Sequence, residues 1–173
     1  MIDARPIIAT LQIDPSAQAF FDALRARWFP PAINYLKAHL TLFHSLPADD
    51  ADATLESVAR ECAQTPRLRL RASGLLRLGR GVAYRIEGLA LSAFRARLAG
   101  RFAGRLTPQD RENFRPHVTV QNKVSPAEAL ALFERLEREF TPFDVDGEGV
   151  QLWRYDGGPW SPMASIAFQG EAA

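Results

Sequence analysis

The sequence predicts an α+β fold built from antiparallel strands. Segments with the alternating polarity of strands and segments with the spacing of amphipathic helices follow one another along the chain. Short glycine-containing turns at 79–81 and 156–159 connect neighbouring strands directly, which only an antiparallel pair allows. Both halves of the chain run through strand, helix, strand and hairpin, so the architecture is predicted to be duplicated.

The first half begins with an apolar run at residues 6–13, which suits a buried strand. Asp14, an N-cap residue followed directly by proline, begins a helix that the double proline at 30–31 ends. After a loop, a second strand is predicted at about 36–43. Proline and two aspartates then open a second helix at about 50–64.

The pattern in the middle of the chain predicts a hairpin followed by a helix. Arginine and leucine alternate from residue 67 in a half-exposed strand that continues towards residue 78. The turn at 79–81 leads into another strand at 82–87. A third helix is predicted at about 89–103, where apolar residues recur at helical spacing.

The pattern in the last part of the chain predicts one strand, one helix and a final pair of strands. The strand covers 117–123, and Ser125 is the cap of a capping box that begins the helix, whose apolar face ends with Phe140. The two last strands are predicted at about 143–154 and 162–169.

Composition predicts one cytoplasmic domain covering residues 1–173. An apolar content of 47% is enough for the chain to bury its own core. No apolar stretch approaches the length that spans a bilayer, and the N-terminus lacks the pattern of a signal peptide. A single cysteine, Cys62, excludes an internal disulfide. We expect a monomer that needs no membrane and no obligate protein partner.

Positive charge is concentrated in the middle of the chain. The net charge is only +1, but residues 60–115 contain 13 arginines against four acidic residues, a difference of +9. This segment is either a solvated surface or a wall that attracts phosphate groups. Both interpretations remain open from the sequence.

Two short segments repeat the pattern His, apolar, Thr, apolar. They begin at His39 and at His117, and each places its threonine, Thr41 or Thr119, two residues after the histidine. Alternate residues of a strand share a face, so each His and Thr face the same side while the aliphatic residues anchor the back. Imidazole can accept or donate a proton near neutrality, and two of them can serve the attacking and leaving oxygens of a phosphodiester.

This pair of motifs, 78 residues apart in a small chain, resembles the 2H phosphoesterase superfamily, in particular its 2′-5′ RNA ligase-like and cyclic phosphodiesterase branch. The resemblance implies two mostly antiparallel sheets, each flanked by helices, in a bilobal arrangement with pseudo-twofold duplication around a central cleft. It implies phosphodiester chemistry on RNA ends or nucleotide cyclic phosphates, with threonine hydroxyls bound to phosphate oxygens. It also implies His117 as base towards water and His39 as acid, reversed in ligation. No cofactor or metal ion is expected.

Substrate contacts are predicted from the strand phase. Phe43 is in phase with the first motif and either walls the cleft, where it could stack on a base, or packs in the core. Arg115 and Lys123 are in phase with the second motif and could contact phosphate. Tyr84 and Arg85 point to opposite faces of their strand, and one of them should face the cleft.

The remaining histidine and the C-terminal aromatic residues give weaker signals. His44 lies five residues after the first motif histidine, so a continuing strand would turn it to the opposite face as a structural or surface residue. Trp153, Tyr155 and Trp160 flank the last turn and form either a small core or an aromatic lip of the cleft.

The leading hypothesis is a metal-independent enzyme that opens 2′,3′-cyclic phosphates of RNA ends or nucleotides, with reversible 2′-5′ RNA joining as a related activity. An alternative is a phosphodiesterase for a small cyclic phosphate of the ribose or ADP-ribose type. A third reading is a module that binds RNA or nucleotide ends without turnover.

Overall fold

The computed structural model describes Asp3 and residues 5–172. Its strands are β1 (Ile7–Ile13), β2 (Leu40–Leu46), β3 (Leu68–Arg77), β4 (Val82–Glu87), β5 (His117–Gln121), β6 (Phe143–Tyr155) and β7 (Trp160–Ala167). Its helices are α1 (Pro15–Trp28), α2 (Ala51–Gln64), α3 (Leu89–Arg101), α4 (Pro108–Arg111) and α5 (Pro126–Glu139). The predicted elements are all present; α4 and a 3₁₀ turn at Pro31–Ile33 are additional.

The helix starts follow from local hydrogen bonds that the sequence indicates. The carboxylate of Asp14 accepts a bond from the amide of Ala17 at the start of α1. At α5 the Ser125 hydroxyl accepts from the amide of Glu128, and the Glu128 carboxylate accepts from the amide of Ser125. These caps satisfy amides that the first helical turn leaves free.

All seven strands belong to one antiparallel sheet in the order β2-β1-β6-β3-β4-β5, with β7 also paired to β6. One edge of β6 pairs with β1, and the other pairs first with β3 and then, from Gly149 onwards, with β7. The α+β class is therefore confirmed. The two expected sheets are instead joined, because β6 is 13 residues long and extends through both. The two-lobed division stays a prediction.

The helices cover the sheet in two groups. α1 packs against β5 and α5 against β3 and β4, while α2 packs against α3, β6 and β7. Fully buried aromatic and aliphatic side chains fill the space under these helices: Phe21, Phe94, Leu91, Leu98, Val58 and Ile86. None of the helices in the described part of the chain has both the length and the hydropathy that crossing a bilayer requires.

The two strands that carry the His-x-Thr motifs are the first and the last in the strand order of the sheet. They nevertheless contact each other. β2 and β5 therefore bring the two halves of the chain together at one place. The pairing of β2 with β1 is irregular at two places and that of β5 with β4 at one, and at each place the motif strand contains one extra residue. These bulges decide which side chains after each motif face the contact and which enter the core.

Candidate active site

The two motif histidines are held in the same way. His39 directly precedes β2, and its Nδ1 lies 2.8 Å from the carbonyl oxygen of Lys37. His117 begins β5, and its Nδ1 lies 2.7 Å from the carbonyl oxygen of Arg115. A carbonyl only accepts, so Nδ1 carries the hydrogen in each ring and Nε2 is left for proton transfer. This matched orientation was not predicted from the sequence.

The motif threonines and their apolar neighbours follow the expected alternation. Thr41 and Thr119 are partly exposed. The aliphatic residues of the two motifs are buried, with at most 2% of their surface exposed: Leu40, Leu42, Val118 and Val120. The two hydroxyls thus lie on the strand faces opposite the packed cores.

Arg25 of α1 connects the segment before the first motif with the strand of the second. It is only 5% exposed. Its Nε donates to the Asn34 side chain at 2.8 Å and to the Leu36 carbonyl at 3.0 Å, and its Nη1 donates to the Thr119 carbonyl at 3.1 Å. The sequence gives no signal for this role beyond an arginine on an otherwise apolar helix face.

His39 is kept neutral by its surroundings. Burial lowers its pKa from 6.5 to about 4, and the positive charge of Arg25 and charge on His117 or His44 act in the same direction. The bond to the Lys37 carbonyl opposes this change but does not outweigh it. The influence of His117 on the pKa of His39 indicates that the two imidazoles lie near each other.

The depressed pKa of His39 predicts a loss of stability in acid. The unfolded chain binds a proton at its ordinary pKa, near 6.5, whereas the folded chain binds it only near 4. Between these values the unfolded state holds more protons, so the free energy of unfolding falls as the pH falls. From pH 7 to 5 it should fall by about 2 kcal/mol more than in the His39→Gln variant, measured by urea unfolding. Equal falls in both proteins would contradict the burial of a neutral imidazole.

Tryptophan side chains border the first histidine. The ring centroids of His39 and Trp160 are 4.8 Å apart, and those of Trp160 and Trp153 are 6.1 Å apart. The Nε1 of Trp153 donates to the hydroxyl of the buried Thr10 at 2.9 Å. Of the two interpretations left open, the structure favours an aromatic lip for Trp160, since it contacts a motif residue directly.

Phe43 does not face the motifs, so its expected place in the cleft wall was wrong. Thr41 pairs with Thr10 of β1, but Phe43 pairs with the adjacent Ala9, so β2 contains one extra residue between them. This bulge turns Phe43 into the core, where it is fully buried. The centroid of its ring lies 3.7 Å from the guanidinium carbon of Arg95. The alternation argument failed because it assumed a regular strand.

The same irregular strand leaves His44 exposed. Its Nδ1 lies 3.2 Å from a carboxylate oxygen of Asp110, which also accepts bonds from the backbone amides of His44 and Ser45. Burial raises the pKa of Asp110, but the bonds from His44 and Ser45 lower it more, so that it stays below its ordinary value. His44 thus anchors the chain after the first motif.

Tyr84 faces the core, so of the two candidates on this strand it is not the one that contacts substrate. It pairs with the buried Val118 and packs among Phe20, Phe21 and Phe143. Burial raises its pKa to about 12.

Arg85 takes the opposite face. It is the cross-strand partner of His117, and directly opposed residues of an antiparallel pair share a face. Of the alternatives Tyr84 and Arg85, the structure therefore puts Arg85 on the side of the motif.

Lys123 lies outside the strand that was expected to carry it. β5 ends at Gln121, and Lys123 adopts a left-handed backbone conformation with φ 60°, its amide donating to the Asn122 side chain. The phase argument therefore does not apply to Lys123. Arg115, in contrast, lies two residues before the first residue of β5, and its exposed side chain lines a cavity together with Arg85.

Among Asp3 and residues 5–172, no three His, Cys, Asp or Glu side chains come together in a group that could hold a metal ion.

Comparisons with known proteins agree with this arrangement. The family model of the 2′-5′ RNA ligase superfamily matches residues 13–159. The crystal structure of TT0787 of Thermus thermophilus has a similar fold, with a TM-score of 0.67 and 16% identity, covering 96% of this chain and 100% of that chain. No curated protein sequence matches significantly.

Two crystal structures of Escherichia coli LigT are also similar, each covering 95% of this chain and 98% of theirs. The complex with 3′-AMP has a TM-score of 0.63 and 18% identity. The complex with NADP⁺ has a TM-score of 0.59 and 17% identity. At these identities the likeness shows a shared fold.

Proposed function

Because this chain belongs to the 2′-5′ RNA ligase superfamily, we propose that it opens the 2′,3′-cyclic phosphates of RNA ends or nucleotides by metal-independent acid–base catalysis. Family membership supports a phosphodiesterase or ligase-like activity. The observation that carries the finer proposal is the matched pair of imidazoles at the starts of two contacting strands, each fixed through Nδ1 to the carbonyl two residues before it. Two imidazoles so held supply both proton transfers that ring opening needs.

The roles of the two histidines follow from their protonation. Since the pKa of His39 is about 4, its Nε2 is unprotonated at neutral pH and can accept a proton from the attacking water. His117, in its charged form, would give a proton to the ribose oxygen that leaves phosphorus. This is the reverse of the assignment that the family resemblance implied, and the burial of His39 favours it.

The threonines complete the proposed chemistry. As water attacks, negative charge grows on the non-bridging oxygens of the phosphate, and hydroxyl donors directed at them stabilise it. Thr41 and Thr119 supply one such donor from each strand. In the joining reaction the hydroxyl of a second chain would replace water as the nucleophile, with the two histidines in the same roles. In the reverse reaction, which closes the cyclic phosphate again, the histidines would exchange roles, so the same pair serves reversible 2′-5′ ligation as a related activity.

Turnover of 2′,3′-cyclic nucleotides and of oligonucleotides ending in a cyclic phosphate tests this function. We expect hydrolysis at an undiminished rate in excess EDTA, because both proton transfers are assigned to imidazole. The product is measured by chromatography, with and without the chelator. Activity that EDTA abolishes and a divalent cation restores would overturn the metal-independent mechanism.

The pH dependence tests the assignment of roles. With His39 as base, kcat/KM should fall in acid only as His39 becomes protonated, so the acid limb should lie near pH 4 rather than 6.5. An acid limb at the ordinary histidine pKa would instead favour the assignment with His39 as acid.

A further inference from the structure

A cavity of about 710 Å³ opens beside the second motif. We call it the arginine cavity. Its walls come from β3, β4, the start of α3 and the segment before β5, and it is lined among others by Leu76, Arg85, Glu87, Leu89, Ser92 and Arg115. A cavity of this size can enclose a ligand of about one nucleotide. The reaction proposed above uses none of these side chains.

The arginine cavity is lined by two residues that neighbour His117. Arg85 is the cross-strand partner of His117 on the same face of the sheet. Arg115 lies two residues before His117, and its backbone carbonyl is 2.7 Å from His117 Nδ1. A substrate bound at His117 can therefore extend towards the two arginines on this side.

Both guanidinium groups lack a counter-charge among the described residues. Neither Arg85 nor Arg115 lies within 4.0 Å of a carboxylate there, whereas many other arginines, such as Arg71 and Arg105, form ion pairs. Glu87 also lines the cavity, but it is paired with neither. Two unpaired guanidiniums beside apolar walls make a site for an oxyanion, since guanidinium matches the geometry of phosphate.

We propose that the arginine cavity binds a second phosphate of the substrate, one that does not react, and so makes the enzyme prefer substrates longer than a cyclic mononucleotide. This rests on the proposed function. The second phosphate is either the internucleotide phosphate of an RNA chain or the pyrophosphate of an ADP-ribose-type cyclic phosphate. Apolar contact with Leu76 and Leu89 leaves room for the attached base or sugar.

The test compares four substrates with the same reacting group. They are a 2′,3′-cyclic mononucleotide, a dinucleotide ending in the cyclic phosphate, the same dinucleotide with an uncharged methylphosphonate linkage, and ADP-ribose cyclic phosphate. We expect kcat/KM to rise about tenfold when the charged second phosphate is present and to lose that gain with methylphosphonate. Preference for the dinucleotide alone identifies an RNA phosphate, and preference for ADP-ribose cyclic phosphate alone identifies a pyrophosphate.

Arginine variants test whether the arginine cavity causes the preference for a second phosphate. In the Arg85→Ala and Arg115→Ala variants, kcat/KM should fall about tenfold more for the substrate with the second phosphate than for the mononucleotide. Arg138→Ala removes the same charge from α5, on the other face of the sheet. This variant should leave kcat/KM unchanged for both substrates. Higher salt should reduce the preference in wild type. Equal losses on all substrates, or no preference in wild type, would overturn the proposal while the proposed function stands.

A binding measurement distinguishes failure of the arginine-cavity proposal from failure of the proposed function. If no substrate is turned over, the proposed function fails, but the cavity can still be tested with product-like ligands by calorimetry. Adenosine 2′-monophosphate is compared with a diadenosine carrying a terminal 2′-phosphate. Tighter binding of the longer ligand, lost in Arg85→Ala, supports the arginine cavity. Equal affinities would overturn it.

Discussion

Replacing either motif histidine by alanine should remove most of the cyclic phosphodiesterase activity. Loss of a general acid or base typically lowers the rate about 10²–10⁴-fold. We expect this range for His39→Ala and for His117→Ala, measured as kcat on a 2′,3′-cyclic nucleotide. Neither side chain belongs to the hydrophobic core, so both variants should stay folded.

The double variant and the third histidine complete this experiment. Because one group takes a proton while the other gives one in the same step, the double variant should be little worse than the worse single variant. Fully multiplicative losses would argue against this coupling. His44→Ala is the matched control: it removes an exposed imidazole close in sequence, and activity should stay near the wild-type level.

Replacing Phe43 by alanine should cause a large loss of stability. Phe43 has no exposed surface, and truncating a buried phenylalanine costs about 3–5 kcal/mol. The free energy of unfolding, from urea denaturation followed by circular dichroism, measures this effect. Phe43→Leu, which keeps most of the buried volume, should lose much less.

The same variants distinguish a core residue from a stacking platform. A residue that stacked on a base would change KM with little change in stability. Phe43→Ala should instead lower the unfolding midpoint strongly, and Phe43→Leu should retain turnover. Tyr35→Ala, at a position 62% exposed, removes an aromatic ring from the surface and should leave stability nearly unchanged. A stable Phe43→Ala protein with a raised KM would contradict the core assignment.

The fold could be predicted because its signals are local. Caps such as Asp14 and Ser125, and strict alternation in β3, depend on residues a few positions apart. The joining of the strands into one sheet depends on the length of β6 and on which strands lie at its two edges. Nothing in residues 143–155 specifies those neighbours, so the sequence could not correct the two sheets that the family resemblance implied.

The site was predictable only as far as each strand is regular. The His-x-Thr motifs precede the irregularities in β2 and β5, and there alternation gives the buried and exposed positions correctly. Phe43 and Lys123 come after them, and the argument fails there. Arg25 was missed, and Trp160 was left between two interpretations, for another reason: both reach the motifs from distant parts of the chain, through contacts that no local pattern encodes.

The continuity of β6 has a consequence for motion. A hinge between the two halves of the sheet would have to break ladder hydrogen bonds within a single strand that has partners on both edges. Domain closure around a ligand normally uses a few loop residues that absorb the rotation, whereas β6 passes through its change of partners with a single bulge between Gly147 and Gly149. We therefore expect the two halves of the sheet, and with them the two imidazoles, to move little when substrate binds.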